Sequence, residues 1–362
     1  MGSSPVEIRG VATAAPHFEV DAEQTKYHLT SRLDPARADA YARMIDATRV
    51  RRRHLVMPPD DLFRLAGIQS RNDHYIAHAL AIGEDVVRRG IAEAAVTPEA
   101  LDTIVSASCT GYMLPSLEAR LIDRLALRRE ARRVPITELG CSAGVAALGL
   151  AASLMPGQSD SLSLVLSVEI ASLGLQIAEP STADMLANLI FGDGASAAVL
   201  ASRPSGRGPL ILGSRSVLWG ETLEALGMRL TDFGFRLFLS PFLPTVVQTR
   251  LPETISGFLA SHSVRRDDIR FWICHQGGPK ILDAVASSLD LRDREIQASW
   301  DVWEQHGNLS SASVFFVMKR MAEIAPPAPG DLGVMLAFGP GVSCEMVLLQ
   351  SQGWLSGVAP AS

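Results

Sequence analysis

Three polar side chains stand where the sequence pattern turns from strand to loop, and their types suit thioester chemistry. Cys141 lies in TELGCSAG, between Gly140 and Gly144, after one apolar run and before another. A thiolate attacks an acyl thioester, and the amides and dipole of a following helix favour thiolate over thiol. The competing role for such a cysteine is that of a small core residue. His275 follows FWIC and precedes Gln276-Gly277-Gly278-Pro279, so it ends a buried strand at a sharp turn. In α/β proteins that end of a strand faces the crevice where ligands sit; a structural imidazole is the alternative. Asn308, in HGNLSSAS, opens a predicted helix reaching about Glu323, and for an isolated Asn a plain N-cap is the ordinary role. Together the three describe a nucleophilic thiol and two groups able to stabilise a thioester enolate.

The elements that must hold them alternate. Val6 to Ala12 reads as a first strand, and 35–47 as a helix with Asp34 at its N-cap and Pro35 at N1. A longer helix is predicted from about Asn72 to Ala95, with Ile76, Leu80, Val86, Val87 and Ile91 near helical spacing. A strand at 103–108, a helix from Ser116 to Leu125 and a strand at 134–139 lead to Cys141. The next segment, SAGVAALGLAASL, is small and apolar all round, as a buried helix is. Strands at 161–168 and 195–201 follow. After the linker-like ASRPSGRGP the outline repeats: strand 271–274, helix GPKILDAVASSL, the helix after Asn308, and strands at 333–338 and 345–349. Such alternation predicts α/β layers with much parallel sheet.

Composition excludes several function classes. The chain has 362 residues, 47% of them hydrophobic, enough for a large core. Against 33 Lys and Arg stand 39 Asp and Glu, a net charge of −6, which argues against nucleic acid as the main partner. The four cysteines, Cys109, Cys141, Cys274 and Cys344, are far apart. No CxxC spacing points to zinc, and so few thiols make no disulfide scaffold. A cytosolic protein is expected. The N-terminus lacks a signal-peptide pattern, and the longest apolar stretch, from Ser142 to Met155, is too short to span a bilayer.

The motifs TELGCSAG, LIFGDGASAAV (189–199), CHQGGPKILD (274–283), HGNLSSASV (306–314) and AFGPGVSCEMVLL (337–349) resemble, in that order, those of the type III polyketide synthases. These include chalcone and stilbene synthases and their bacterial relatives. The likeness runs through nearly the whole chain. It implies a thiolase fold, with duplicated αβαβα layers and mixed five-stranded sheets. The halves would be 1–208, carrying the nucleophile, and 209–362, carrying the His and Asn. It also implies a homodimer, acyl-CoA and malonyl-CoA as substrates, and no metal or organic cofactor. Cys141 matches the nucleophile, and His275 and Asn308 its partners, which would hold the thiolate and then stabilise the enolate left when CO₂ departs. Phe191 matches an aromatic gatekeeper. Gly339, Pro340 and Gly341 match a loop shaping the cavity, and Ser310 belongs to the Gly-Asn-x-Ser-Ser motif. Leu114 matches a residue sent into the neighbouring subunit's cavity.

Departures from the family's plant members bear on substrate. Leu237 stands near a second aromatic position, Gly174 where a larger residue lines the cavity, and Met228 where Gly is frequent. Cys109 falls where several bacterial members carry a second thiol. Of the basic residues offered to CoA phosphates, Arg43 matches one, Ala40 and Ala47 replace two, and Arg49, Arg51 or Arg52 is the expected substitute. The segment WGETLEALGMRLTDFGFRLFLSP is similar to bacterial alkylpyrone and alkylresorcinol synthases, which implies an aliphatic starter and an alkylpyrone or alkylresorcinol product. The alternative within the family is a malonyl-CoA-only synthase of tetrahydroxynaphthalene type. Outside it stand a ketoacyl-acyl-carrier-protein synthase of fatty-acid initiation, and a catalytically silent binding subunit on the same fold.

Overall fold

The structure, a computed structural model, describes residues 5–155, 160–175, 180–232 and 234–355. Its strands are β1 (Val6–Ala14), β2 (Phe18–Asp21), β3 (Arg52–Leu55), β4 (Thr103–Ala107), β5 (Arg132–Ile136), β6 (Leu162–Ile170), β7 (Asp193–Ala201), β8 (Leu210–Leu218), β9 (Leu226–Thr231), β10 (Gly234–Leu239), β11 (Ile269–Cys274), β12 (Leu332–Gly339) and β13 (Ser343–Gln350). Its helices are α1 (Ala22–Thr30), α2 (Pro35–Thr48), α3 (Pro59–Leu62), α4 (Gly67–Ala94), α5 (Leu117–Leu125), α6 (Ala143–Ser153), α7 (Thr182–Ile190), α8 (Leu243–Ala260), α9 (Pro279–Leu289), α10 (Asp293–His306) and α11 (Ser313–Ile324).

A nine-stranded sheet runs in the order β11-β12-β13-β8-β1-β7-β6-β4-β5. Its two parts share one pattern. In the first, β4 is parallel to β6, β6 antiparallel to β7, and β7 antiparallel to β1. In the second, β11 is parallel to β12, β12 antiparallel to β13, and β13 antiparallel to β8. The first part adds β5 beyond β4; among the described residues nothing pairs beyond β11, so the second part has four strands rather than the expected five.

Strand periodicity builds the layers. Leu164 and Leu166 of β6 pack outward with Val87 of α4 and Leu121 of α5, while Val165 between them faces inward. In β11 and β12, Ile273 and Met335 face inward, whereas Trp272 and Val334 pack outward with Leu251 of α8 and Leu282 of α9. Successive side chains on a strand point to opposite faces, so each part of the sheet is covered twice. Both inner faces share one central core made by Leu148 of α6 and Phe315 and Met318 of α11. The result is αβαβα layering. It explains why β6 is buried at every residue and reads as an almost unbroken apolar run.

Two local expectations shift. The strand before Cys141 is Arg132–Ile136, not 134–139, so a turn separates it from the cysteine. Asn308 opens no helix: a 3₁₀ turn at Ser310–Ala312 comes first and α11 starts at Ser313. The predicted cap of α2 is present, with Asp34 accepting from the Arg37 amide. The 201–209 linker is tied down by Glu7 of β1, whose buried carboxylate accepts from the amides of Ser205 (2.9 Å), Arg207 (2.8 Å) and Gly208 (3.3 Å). Burial pulls the Glu7 pKa up, but these bonds outweigh it and hold the carboxyl below its ordinary value. No helix among the described residues is long and apolar enough to cross a membrane.

Candidate active site

Cys141 sits in a 3₁₀ turn, Gly140–Ser142, leading into α6. Glycine permits two close approaches around it. A Cβ on Gly144 would overlap the Ser311 carbonyl, and one on Gly339 would overlap Ser142 Oγ and the Leu139 carbonyl. The first brings the Cys141 turn against Ser310–Ala312. The second seats the predicted Gly339-Pro340-Gly341 loop behind that turn, with Pro340 against Gly140.

The side chains of Ser310 and Asn308 favour the thiolate form of Cys141, but less strongly than burial opposes it. Burial pushes its pKa up to about 11. Burial likewise pushes His275 down to about 4, and His275 Nδ1 has no hydrogen-bond partner. Burial of this kind favours the neutral form of each group. Burial thus works against the standing thiolate that helix dipole and imidazole were expected to maintain.

Asn308 is held by its backbone. It forms an isolated parallel bridge with Phe191: the Asn308 amide donates to the Ile190 carbonyl at 2.7 Å, and the Gly192 amide to the Asn308 carbonyl at 3.0 Å. Asn308 Oδ1 accepts from the Ser310 amide at 2.8 Å. Arg53, buried at the end of α7, clamps the other side. Its Nη1 donates to the carbonyls of Asn188 (2.7 Å) and Phe191 (2.8 Å), and its Nη2 to Thr25 Oγ1 (3.3 Å). Burial lowers the Arg53 pKa to about 10 and raises that of Asp193 to about 6. Asp193 in turn accepts from the amides of Val56 and Ser172.

Glu169, near the end of β6, is the floor beneath these groups. Its fully buried carboxylate accepts from the Cys109 amide (3.1 Å), Thr110 Oγ1 (3.1 Å), Ser310 Oγ (3.2 Å) and Ser311 Oγ. Burial raises its pKa above the ordinary carboxylate value despite those donors. Cys109 Sγ lies 3.5 Å from Ser310 Oγ, and burial, with Glu169 next, raises that thiol well above its usual range.

One cavity, with about 960 Å³ of empty space counting its open mouth, borders this cluster. Phe191, Leu237, Gly174, Met228, Cys109 and Ser310 line it, as the family resemblance implied, whereas Gly339, Pro340 and Gly341, expected to shape it, are not among its lining residues, nor are Cys141, His275 and Asn308. Met228 and Leu237 are direct cross-strand partners in the β9–β10 hairpin. A Cβ added to Gly174 would meet nothing within 4 Å. Leu114 is not in this chain's own cavity and is 77% exposed. Arg43 is exposed on α2. Arg49 lies 4.1 Å over the Trp300 ring and pairs with Glu304 at 3.6 Å, a carboxylate that Arg51 also engages at 3.1 Å. Neither Arg43 nor Arg49 lines the cavity.

Sequence reasoning missed Glu169, Arg53, Asp184 and His28. The only signal for Glu169 was an acid near the end of a largely apolar strand. Arg53 is one of three consecutive arginines, and only the fold singles it out for burial.

Comparison with known proteins fits this geometry. Residues 212–353 match the C-terminal domain of chalcone and stilbene synthases, and residues 53–209 match the FAE1/type III polyketide synthase-like family. A 1,3,6,8-tetrahydroxynaphthalene synthase of Streptomyces peucetius is 37% identical over 353 residues, covering 94% of this chain and 93% of that protein. An alpha-pyrone synthesis polyketide synthase-like protein of Mycobacterium tuberculosis is 28% identical, covering 94% and 90%. The crystal structure of the Streptomyces coelicolor 1,3,6,8-tetrahydroxynaphthalene synthase matches with a TM-score of 0.91 at 29% identity, covering 96% and 99% of the two chains. The chain belongs to the type III polyketide synthases, on the thiolase fold. It is an enzyme of acyl transfer and condensation.

Proposed function

We propose that this synthase builds a tetrahydroxynaphthalene-type product from malonyl-CoA alone. The observation that carries this reading is the likeness, along nearly the whole chain, to a 1,3,6,8-tetrahydroxynaphthalene synthase. Cys141 takes the acyl group from CoA as a thioester. The malonyl thioester oxygen lies between His275 and the Asn308 amide, whose hydrogen bonds stabilise the enolate as CO₂ leaves. The carbanion attacks the Cys141 thioester, and the thiol and imidazole exchange their proton as a coupled pair. No metal or organic cofactor takes part. The enzyme works as a cytoplasmic homodimer, in which exposed Leu114 and Tyr112 (77% and 66%) cover one another's subunits. Arg43 and Arg49 receive the CoA phosphates.

A second reading, an aliphatic acyl-CoA starter giving an alkylpyrone or alkylresorcinol, is favoured by the open space at Gly174. Each methylene buried there would contribute ~0.8 kcal/mol. Incubation with malonyl-CoA, alone and with starters from acetyl to palmitoyl, separates the two by mass spectrometry beside a Cys141→Ala control. Aromatic product from malonyl-CoA alone supports the first reading. Product only with long aliphatic starters moves the enzyme to the second. Turnover that requires acyl carrier protein overturns both.

A further inference from the structure

The cavity holds a second histidine, remote in sequence from Cys141, His275 and Asn308. His28, on α1, lines the same cavity as Cys109 and Ser310. Its Nδ1 lies 3.1 Å from Asp60 Oδ1, at the start of α3. The same oxygen accepts from Arg32 Nη2 at 2.7 Å, and Arg32 Nη1 donates to the His28 carbonyl at 3.0 Å. The Arg32 guanidinium is 4.5 Å over the ring of Phe63, another cavity residue. A carboxylate only accepts, as Asp60 does from Arg32. The proton of a neutral His28 is therefore on Nδ1, which leaves Nε2 as the basic atom of a ring on the cavity wall. Nothing in the condensation cycle uses this group.

We infer that His28, oriented by Asp60 and Arg32, is the general base that starts ring closure of the polyketide in this cavity. The linear chain on Cys141 carries methylenes between pairs of carbonyls, which are its most acidic carbons. His28 Nε2 takes one such proton. The carbanion attacks the thioester carbonyl carbon, a C–C bond forms and the C–S bond breaks. Cys141 leaves as thiolate and recovers the proton from the His28 imidazolium. Atoms and charge balance, with no oxidant or further reactant. His28 is thus a catalytic residue, and Asp60 and Arg32 are positioning residues. The inference rests on the reading that a carbocyclic product forms from malonyl-CoA.

The test is a product ratio. His28→Gln retains a hydrogen-bond donor for Asp60 but cannot shuttle a proton, and Asp60→Asn leaves the ring without its anionic partner. With malonyl-CoA as substrate, CoA release reports condensation, and the fraction of carbocycle against uncyclised or lactone product reports closure. In a single turnover, where CoA is released by loading and extension before ring closure, His28→Gln is expected to release CoA within about twofold of wild type while the carbocycle fraction falls at least ~tenfold, a loss typical for a removed general base. Asp60→Asn is expected to fall between. A carbocycle fraction within twofold of wild type overturns the inference. So does a fall in CoA release that matches the fall in carbocycle, since that marks a structural role, and melting temperatures of both variants check it. If wild type releases CoA yet makes no carbocycle, the malonyl-only reading fails with it; if wild type cyclises and His28→Gln does too, only the role of His28 fails.

Discussion

The two parts of the sheet offer the same strand ends to the site but fill them with opposite chemistry. Where β4 and β6 end, the first part presents Cys109 and Glu169, and it adds Cys141 after β5. Where β11 and β12 end, the second part presents His275 and Gly339, followed by the Asn308–Ser310 segment before α11. The first part thus supplies thiols and an acid, among them the proposed acyl carrier Cys141. The second supplies an imidazole, an amide and hydroxyls, among them the two groups proposed to steady an enolate. One topology therefore serves two tasks because only the residues at the strand ends differ.

If that division is real, the tasks separate on mutation. Cys141→Ala is expected to lower product formation by at least ~10³-fold, while malonyl-CoA decarboxylation, followed by CO₂ release, continues. Asn308→Ala is expected to lower decarboxylation by about 10²–10³-fold, the usual cost of one such donor, while iodoacetamide still labels Cys141. If both substitutions reduced both activities alike, the comparison would break.

The resting state sharpens it further. With its pKa pushed up to about 11 by burial, Cys141 is expected to be a thiol at neutral pH, its thiolate fraction rising about tenfold per pH unit toward that value. Alkylation of the free enzyme should climb steadily with pH in a Cys109→Ala background. A plateau beginning near pH 6 would show a thiolate already held by His275.

Arg53 couples the parts, since it fixes the α7 end that in turn fixes Asn308. Arg53→Met should leave Cys141 labelling unchanged and slow decarboxylation about tenfold. It should also cost ~1–3 kcal/mol by denaturant melt, because two buried carbonyls lose their donor. Glu169→Ala strands several donors at once and should cost ~2–4 kcal/mol by calorimetry. The smallest effect is expected at Gly174→Leu. The added side chain enters open space, so stability should hold while the product mixture moves to shorter chains by mass spectrometry.

How much of this was legible depends on how local each signal is. Cys141, His275 and Asn308 announce themselves through Gly-rich turns beside apolar strands. The cavity residues Gly174, Met228 and Leu237 were placed by family likeness, and the structure brings them to one wall. Asn308 was misread as a helix start because its actual partner, Phe191, is far away in the chain and the bridge between them leaves no local pattern. Glu169 and Arg53 were invisible for the same reason. Glu169 gathers donors from 109, 110, 310 and 311, and Arg53 meets carbonyls at 188 and 191. Burial of a charge is a property of the assembled fold, and an arginine run gives no hint which member goes inside.

Glu7 gives the linker between the parts a meaning for how such chains can be recombined. The carboxylate at the first strand gathers the amides of Ser205, Arg207 and Gly208, and β1 pairs with β8 only through Val6 with Ile211 and Glu7 with Leu210. A crossover within 202–209 would therefore separate an acid from the loop that satisfies it. Chimaeras that inherit residues 5–208 as one block keep that junction intact, while those that take β1 from one parent and the linker from another leave a buried anion facing a loop shaped for a different neighbour.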